Sequence, residues 1–361
     1  MTSRRSLLLA RAFALPMLCA AAFAARADVA LGMTSLPDAA SAPAVTIFYP
    51  AAAADTAVRR GPFTFRLAVD AAPAPGNGRL VIVSHGSGGS PWVHVDLART
   101  LVEAGFVVAM PWHRGDNTLD DGHPGPDSWA QRPAEVSHAI DAVAGDTRFA
   151  ARLDTTRVGV YGMSAGGHTA LSMAGGRWSR AGFRRHCDAH LAEDFNSCVG
   201  LIMRLHDDAL DRLRLGLARI VIDWRFTDDT PQVHRDPRVA AVVAAVPSAA
   251  DFDMVSLAEP AVPLALLTSG RDAWLTPRFH ADRVLAACRP RCEHLADLPQ
   301  GGHGAWLSPL PPGLTGLVGD LLNDPPDFDR AALPAAHRAV AGFFERQLLG
   351  EPPPAQRVGP R

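Results

Sequence analysis

Apolar residues in this chain gather into short unbroken runs, each bounded by glycine, proline or polar residues. Leu80-Val81-Ile82-Val83-Ser84, residues 106–110, Arg157-Val158-Gly159-Val160-Tyr161, residues 242–246 and Pro263-Leu264-Ala265-Leu266-Leu267-Thr268 are such runs. Stretches this short and this apolar read as strands covered on both faces. Residues 45–49 and 63–69 alternate instead, which predicts leading strands, antiparallel and near one edge of a sheet. Helix-forming stretches separate the runs at residues 93–104, at 133–143, and at Thr169-Ala170-Leu171-Ser172-Met173-Ala174. Strands alternating with helices predict an α/β fold with a mostly parallel central sheet flanked by helices.

One stretch breaks the alternation. Residues 175–237 are too long for a simple loop. Within them Leu201, Leu205, Leu210, Leu213 and Leu217 recur close to helical spacing, with Arg204, Asp207, Asp208, Asp211 and Arg214 between. An inserted helical cap is expected there; a solvated decoration on the sheet edge is the alternative. The polar segment from Trp112 to Gln131 carries Asp116, Asp120, Asp121, His123 and Asp127, whose spacing fits no calcium-binding loop. It reads as a solvated loop.

Candidate chemistry sits where the strands end. Gly162-Met163-Ser164-Ala165-Gly166 lies between a strand and a helix, so Ser164 stands at the tip of a sharp turn. A serine hydroxyl becomes a useful nucleophile only beside a base, with N–H groups aimed at the developing oxyanion. The run at residues 80–84 ends in His85-Gly86-Ser87-Gly88-Gly89, and the backbone amides of Ser87 and Ala165 are the expected oxyanion hole, their side chains playing no part. The run at 263–268 delivers Asp272, and Gly301-Gly302-His303-Gly304 exposes His303 between glycines. His303 is the expected base and Asp272 its partner, with Asp251 and Asp253 as alternative acids. Ser164, Asp272, His303 is the chain order of the α/β-hydrolase fold and not of the trypsin-like or subtilisin-like proteases. Trp306 and Trp224 are candidate substrate-binding residues. His85 is expected to order its own turn and His168 to pack, while His113, His123 and His138 show no partner at useful spacing.

Composition narrows the compartment and the partners. Four arginines and no acid precede Asp28, an apolar stretch covers residues 7–23, and Ala25-Arg26-Ala27 is a small-x-small cleavage pattern. Residues 1–27 are therefore expected to be an export signal, by the general or the twin-arginine route, leaving a periplasmic or secreted chain without stable membrane insertion. The domain then runs from 28 to 349, with a Pro-rich tail at 350–361. Export permits disulfides. Cys187, Cys198, Cys288 and Cys292 allow three pairings, of which the local pairs 187–198 and 288–292 are preferred. Their spacing to His186 and His294 matches no zinc pattern, so no metal is expected. No basic stripe points to nucleic acid. The chain has no lysine, which excludes Schiff-base and Ser–Lys chemistry.

Taken as a set, several motifs resemble one family. They are Thr46-Ile47-Phe48-Tyr49-Pro50, Ser84-His85-Gly86-Ser87-Gly88, Pro111-Trp112-His113-Arg114-Gly115-Asp116-Asn117, Arg132-Pro133-Ala134-Glu135-Val136, Gly162-Met163-Ser164-Ala165-Gly166-Gly167 and Asp236-Pro237-Arg238-Val239. Over roughly residues 30–349 the chain resembles the bacterial proteins described as predicted dienelactone hydrolases, which are similar to platelet-activating-factor acetylhydrolases. The resemblance implies an α/β-hydrolase fold and serine-dependent hydrolysis of a small-molecule or lipid-like ester, with no cofactor. True dienelactone hydrolases carry a cysteine where this chain has Ser164. The acetylhydrolases place their acid where this chain has Pro247, which favours Asp272. An amidase or peptidase using the same three residues, and a binding protein on the same fold, are the other readings.

Overall fold

A computed structural model of the chain describes residues 29–38 and 43–350. The expected export signal and, beyond Gly350, the Pro-rich tail lie outside the described residues. The leading strands are β1 (Ala30–Leu36), β2 (Val45–Ala51), β3 (Thr56–Arg60) and β4 (Phe63–Val69). The chain then alternates: β5 (Leu80–Ser84), α1 (Val95–Glu103), β6 (Val107–Pro111), α2 (Pro126–Gly145), β7 (Val158–Met163) and α3 (Ala165–Met173). A short strand β8 (Arg177–Trp178) leads into α4 (Arg180–His190), α5 (Phe195–Val199) and α6 (Asp211–Arg225). After them come β9 (Val239–Ala245), β10 (Phe252–Asp253), α7 (Met254–Leu257), β11 (Leu264–Ser269), α8 (Ala281–Cys288), β12 (Cys292–Leu298), α9 (Gly316–Leu322) and α10 (Leu333–Phe344).

Ten of the strands form one sheet in the order β12-β11-β9-β7-β5-β6-β2-β1-β4-β3. From β12 to β6 every pairing is parallel, and β2 joins β6 antiparallel. This is the α/β-hydrolase fold. The apolar runs are explained by position, since β5, β6, β7, β9 and β11 are covered on both sides. Alternate residues serve opposite layers. Leu80, Ile82, Val158 and Val160 pack with α2 and α3, while Val81, Val83 and Tyr161 pack with α1 and α10. The leading strands do lie toward one edge, and β2 pairs antiparallel with β1 and β6 as expected, whereas β4 is antiparallel to β3 but parallel to β1.

Two expectations are corrected. Helix α2 begins at Pro126, well before the expected start at 133, with Pro133 inside it. Gly125, at a φ of 78°, turns the chain into that helix. The supposed solvated loop at 112–131 is therefore partly helix, and His113, Asp116 and Asn117 within it are buried. The residues 175–237 do insert three helices, yet of the five leucines in the pattern only Leu205 packs toward the core and the other four face outward. Leu210, Leu213 and Leu217 are 57, 59 and 49 % exposed, and α6 is seated on Ala218 and Ile222 instead. Asp127, in the first turn of α2, ties the insertion down by ion pairs to Arg180 of α4 and Arg225 of α6. Cys187 is bonded to Cys198 and Cys288 to Cys292.

The turn from β7 into α3 exists because glycines let three segments interpenetrate. A Cβ on Gly162 would lie 1.8 Å from the Gly166 carbonyl oxygen, and one on Gly166 would lie 1.9 Å from the Ser84 carbonyl oxygen. Both distances are far inside van der Waals contact. Gly162→Ala is expected to destabilise the fold by about 3 kcal/mol or more, because the overlapping atoms are backbone and have no rotamer escape. The urea midpoint of the variant checks this; an unchanged midpoint would mean the turn is not as tight as described.

A second prediction concerns acid. Burial holds the His94 imidazole, just ahead of α1, at about 3, helped by the nearby His337, and holds His337 of α10 at about 4, against an ordinary value of 6.5. Below pH ~6.5 the unfolded chain takes up protons at these rings that the folded chain refuses, so stability falls as pH drops from there toward about 4. The melting temperature should decline over that window, and His94→Leu should shrink the decline. An undiminished slope in the variant would show that other groups set the acid limit.

Candidate active site

Ser164 follows the last residue of β7 and has a φ of 59°, a conformation that non-glycine residues rarely hold unless their surroundings enforce it. Its N–H donates to the Ala245 carbonyl (3.0 Å), and its carbonyl accepts from the N–H groups of His168 (3.0 Å) and Ser248 (3.1 Å). The turn is thus fastened to β9 as well as to its own helix. The hydroxyl is left at the tip, half-buried.

Asp272 and His303 reach it from the loops that follow β11 and β12. Ser164 Oγ is 2.9 Å from His303 Nε2, and His303 Nδ1 is 2.7 Å from Asp272 Oδ2. The other carboxylate oxygen of Asp272 accepts the N–H groups of Trp274 (2.9 Å) and Leu275 (2.8 Å), which fixes the plane of the carboxylate. The loops carrying the two residues are zipped together, with Gly270 N–H donating to Leu298 O and Arg271 N–H to Gly301 O, both at 3.0 Å. Gly304 must lack a side chain, because a Cβ would lie 2.3 Å from the Leu322 carbonyl. The alternative acids stand elsewhere: Asp251 is held by His168 (3.0 Å), and Asp253 caps α7 and pairs with Arg177. In this array His303 can take a proton from the Ser164 hydroxyl while Asp272 fixes the tautomer.

The loop after β5 runs against Ser164. A Cβ on Gly86 would come within 3.3 Å of the Ser164 Cβ. Its Gly86–Ser87 peptide is held through the Gly86 carbonyl, which accepts from His85 Nδ1 (2.8 Å) and from Gly89 N–H (3.1 Å). In a trans peptide the N–H points opposite to the carbonyl, and among the described residues the Ser87 N–H has no acceptor. Ala165 is the first residue of α3, so its N–H belongs to the unpaired donors of a helix start.

Behind the loop lies a buried polar cluster that the sequence did not disclose. Ser84 Oγ is 2.8 Å from His113 Nε2, and His113 Nδ1 is 2.7 Å from Glu135. Burial pushes His113 well below the usual histidine range, with the Arg132 charge acting in the same direction. Asp116 and Arg132, both with fully buried side chains, form an ion pair at 2.8 Å. Burial alone would raise the Asp116 carboxyl, but the Arg132 guanidinium and the Ser87 and Gly88 donors outweigh it and hold it below the usual range. His113, Asp116, Arg132 and Glu135 all belong to the family-like motifs, which was the one signal that could have singled them out.

Other expected contributors are placed elsewhere. Trp306 is 1 % exposed, packed in the core layer of α1 and α10, with its indole N–H on Ser269 Oγ (3.0 Å). It offers a substrate no surface. Trp224 is 81 % exposed, on the face of α6 that carries the outward leucines. A cavity of about 850 Å³ lies between α4, β10 and residues 278–283, and neither Ser164 nor His303 lines it. His186, Asp194 and His280 approach one another closely enough to suggest a metal site. However, the Ala249 N–H donates to His280 Nδ1 (2.9 Å), so the ring proton sits on Nε2 and is directed at Asp194 (3.0 Å). A protonated Nε2 has no lone pair for an ion. The group instead pins the insertion to the body, beside the Asn196 side chain, which donates to the carbonyl of Ala273 next to Asp272.

No protein-family model matches the chain, and no curated protein matches it in sequence. Solved structures do match it in shape. A ferulic acid esterase from Streptomyces cinnamoneus aligns over 94 % of this chain and 96 % of that one, with a TM-score of 0.55 at 19 % sequence identity. At that identity the likeness is one of fold.

Proposed function

We propose that this chain is an exported serine hydrolase that cleaves carboxylic esters through an acyl-enzyme. The observation that carries the proposal is the unbroken series Asp272–His303–Ser164, with the hydroxyl at the tip of a strained turn. Ser164 Oγ attacks the ester carbonyl carbon as His303 Nε2 takes its proton. The oxyanion accepts from the N–H groups of Ser87 and Ala165. Collapse breaks the bond to the alcohol, which leaves with the proton from His303. Water, activated by the same imidazole, then releases the acid. Each proton and charge in this scheme has a protein partner, so the scheme calls for no cofactor.

Two disulfides suit an oxidising compartment, and among the described residues no helix is long and apolar enough to cross a membrane. The expected signal at residues 1–27 gives the route to the periplasm or the exterior. Asn196 of the insertion touches the Asp272 loop, which favours a cap that bounds the ester site rather than a remote decoration. A small-molecule or lipid-like ester is the proposed substrate.

Hydrolysis of p-nitrophenyl esters from C2 to C12, with methyl ferulate added because a ferulic acid esterase shares the fold, tests the reading. Turnover is expected in the processed protein and should vanish in Ser164→Ala. Turnover on acyl anilides with none on any ester would shift the reading to an amidase. Asp272→Asn should lower kcat by about 10⁴-fold near neutral pH with KM little changed, since the carboxylate sets the tautomer rather than binding substrate. A loss of less than about tenfold would assign the acid to another residue.

A further inference from the structure

We infer that Asp116 is a positioning residue for the oxyanion loop and that it acts through the side chain of Ser87. The inference rests on the serine-esterase reading and reaches beyond it, because the Ser87 side chain was expected to play no part. One carboxylate oxygen of Asp116 accepts both the Ser87 hydroxyl (2.5 Å) and the Gly88 N–H (2.9 Å). Two adjacent donors on one oxygen fix the Ser87–Gly88 segment in place and in rotation. The other oxygen accepts from Arg132 Nη2 (2.8 Å).

Arg132 completes the grip from the other side of the loop. Its Nη1 donates to the His85 carbonyl (2.5 Å), its Nη2 also reaches the Asp116 carbonyl (3.2 Å), and its Nε donates to Ser128 (2.8 Å). The loop is therefore clamped at His85 by the guanidinium and at Ser87 and Gly88 by the carboxylate. Between these two points lies the Gly86–Ser87 peptide, whose N–H is the candidate oxyanion donor. Gly88 has a φ of 63°, which glycine adopts without strain, so the chain can turn there to bring its N–H onto Asp116.

The purpose of such a clamp is electrostatic. An oxyanion donor helps only if it is already aimed when charge develops, since reorientation during the reaction would consume the gain. A buried carboxylate paired to a buried guanidinium is a stiff support, because neither group can exchange its partner for water. Asp116 touches no reacting atom in this account.

The test compares oxygen esters with the matching thionoesters. A thiocarbonyl sulfur is a poor hydrogen-bond acceptor, so a defect confined to the oxyanion donors should appear on the oxygen ester and largely disappear on the thionoester. Ser87→Ala, at an exposed position, keeps the backbone N–H and removes only the contact to Asp116. It should lower kcat on the oxygen ester by about tenfold, with KM and thionoester turnover changed by less than about twofold. Asp116→Asn should show the same pattern at about 10²-fold if its thermal transition is retained; Ser87→Ala decides the matter if it is not. An unchanged kcat in Ser87→Ala, or an equal loss on both esters, would overturn the inference while leaving the esterase reading intact. Absence of ester turnover in the unmutated protein would overturn both.

Discussion

Everything near Ser164 depends on the absence of two Cβ atoms. Gly162 at the end of β7 and Gly166 in the first turn of α3 allow the helix to start almost on top of the strand, with the Ser84 carbonyl pressed into the same space. That close approach holds Ser164 at a positive φ and turns its hydroxyl away from the sheet. Without it the serine would be an ordinary residue at a helix start, and the strand ends beside it would present their loops to nothing. The strained conformation costs on the order of 1–3 kcal/mol and persists because hydrogen bonds to the Ala245 carbonyl and from the Ser248 N–H over-determine it.

Around this turn the same device recurs. Each loop that faces Ser164 is fastened by polar groups from other elements. The loop after β5 is gripped by Asp116 and Arg132, and the His85 ring is steadied by the His113 N–H. The Asp272 loop is fastened to the His303 loop by backbone bonds and to the insertion by Asn196. The insertion is anchored by Asp194 between His186 and His280. Such pairs add little net stability, because desolvation offsets their attraction, yet removing one partner typically costs about 3–5 kcal/mol. Their effect is to leave each loop a single arrangement, which a site built on loops requires.

Much of this was legible in the sequence, and the limits have a physical cause. Residues 80–84 and 63–69 are strands with the expected bounds, since short apolar runs and alternation report directly on how a strand is covered. That Ser164, Asp272 and His303 come together was legible because each follows a strand end, with glycines on both sides of Ser164 and of His303. The clamp around the loop after β5 was not legible. His113 finds Glu135, and Asp116 finds Arg132, only because α2 begins at Pro126 and lays residues 128, 132 and 135 against that loop. Polarity alone suggested solvent, whereas burial with long-range partners leaves no periodic signature. The outward leucines of α6 misled in the opposite sense, since helical spacing reports an apolar face without saying what covers it. Trp306 was read as a substrate-binding residue from its nearness in sequence to His303, and the core took it instead.

The central claim is that Ser164 is the nucleophile and is already activated in the resting protein. Treating the processed, folded chain with a fluorophosphonate and mapping the adduct by peptide mass spectrometry tests it most directly. The account predicts one equivalent of label, on the peptide containing Ser164, blocked when the protein is first unfolded. A label on a different residue, or none on the folded protein, would contradict it.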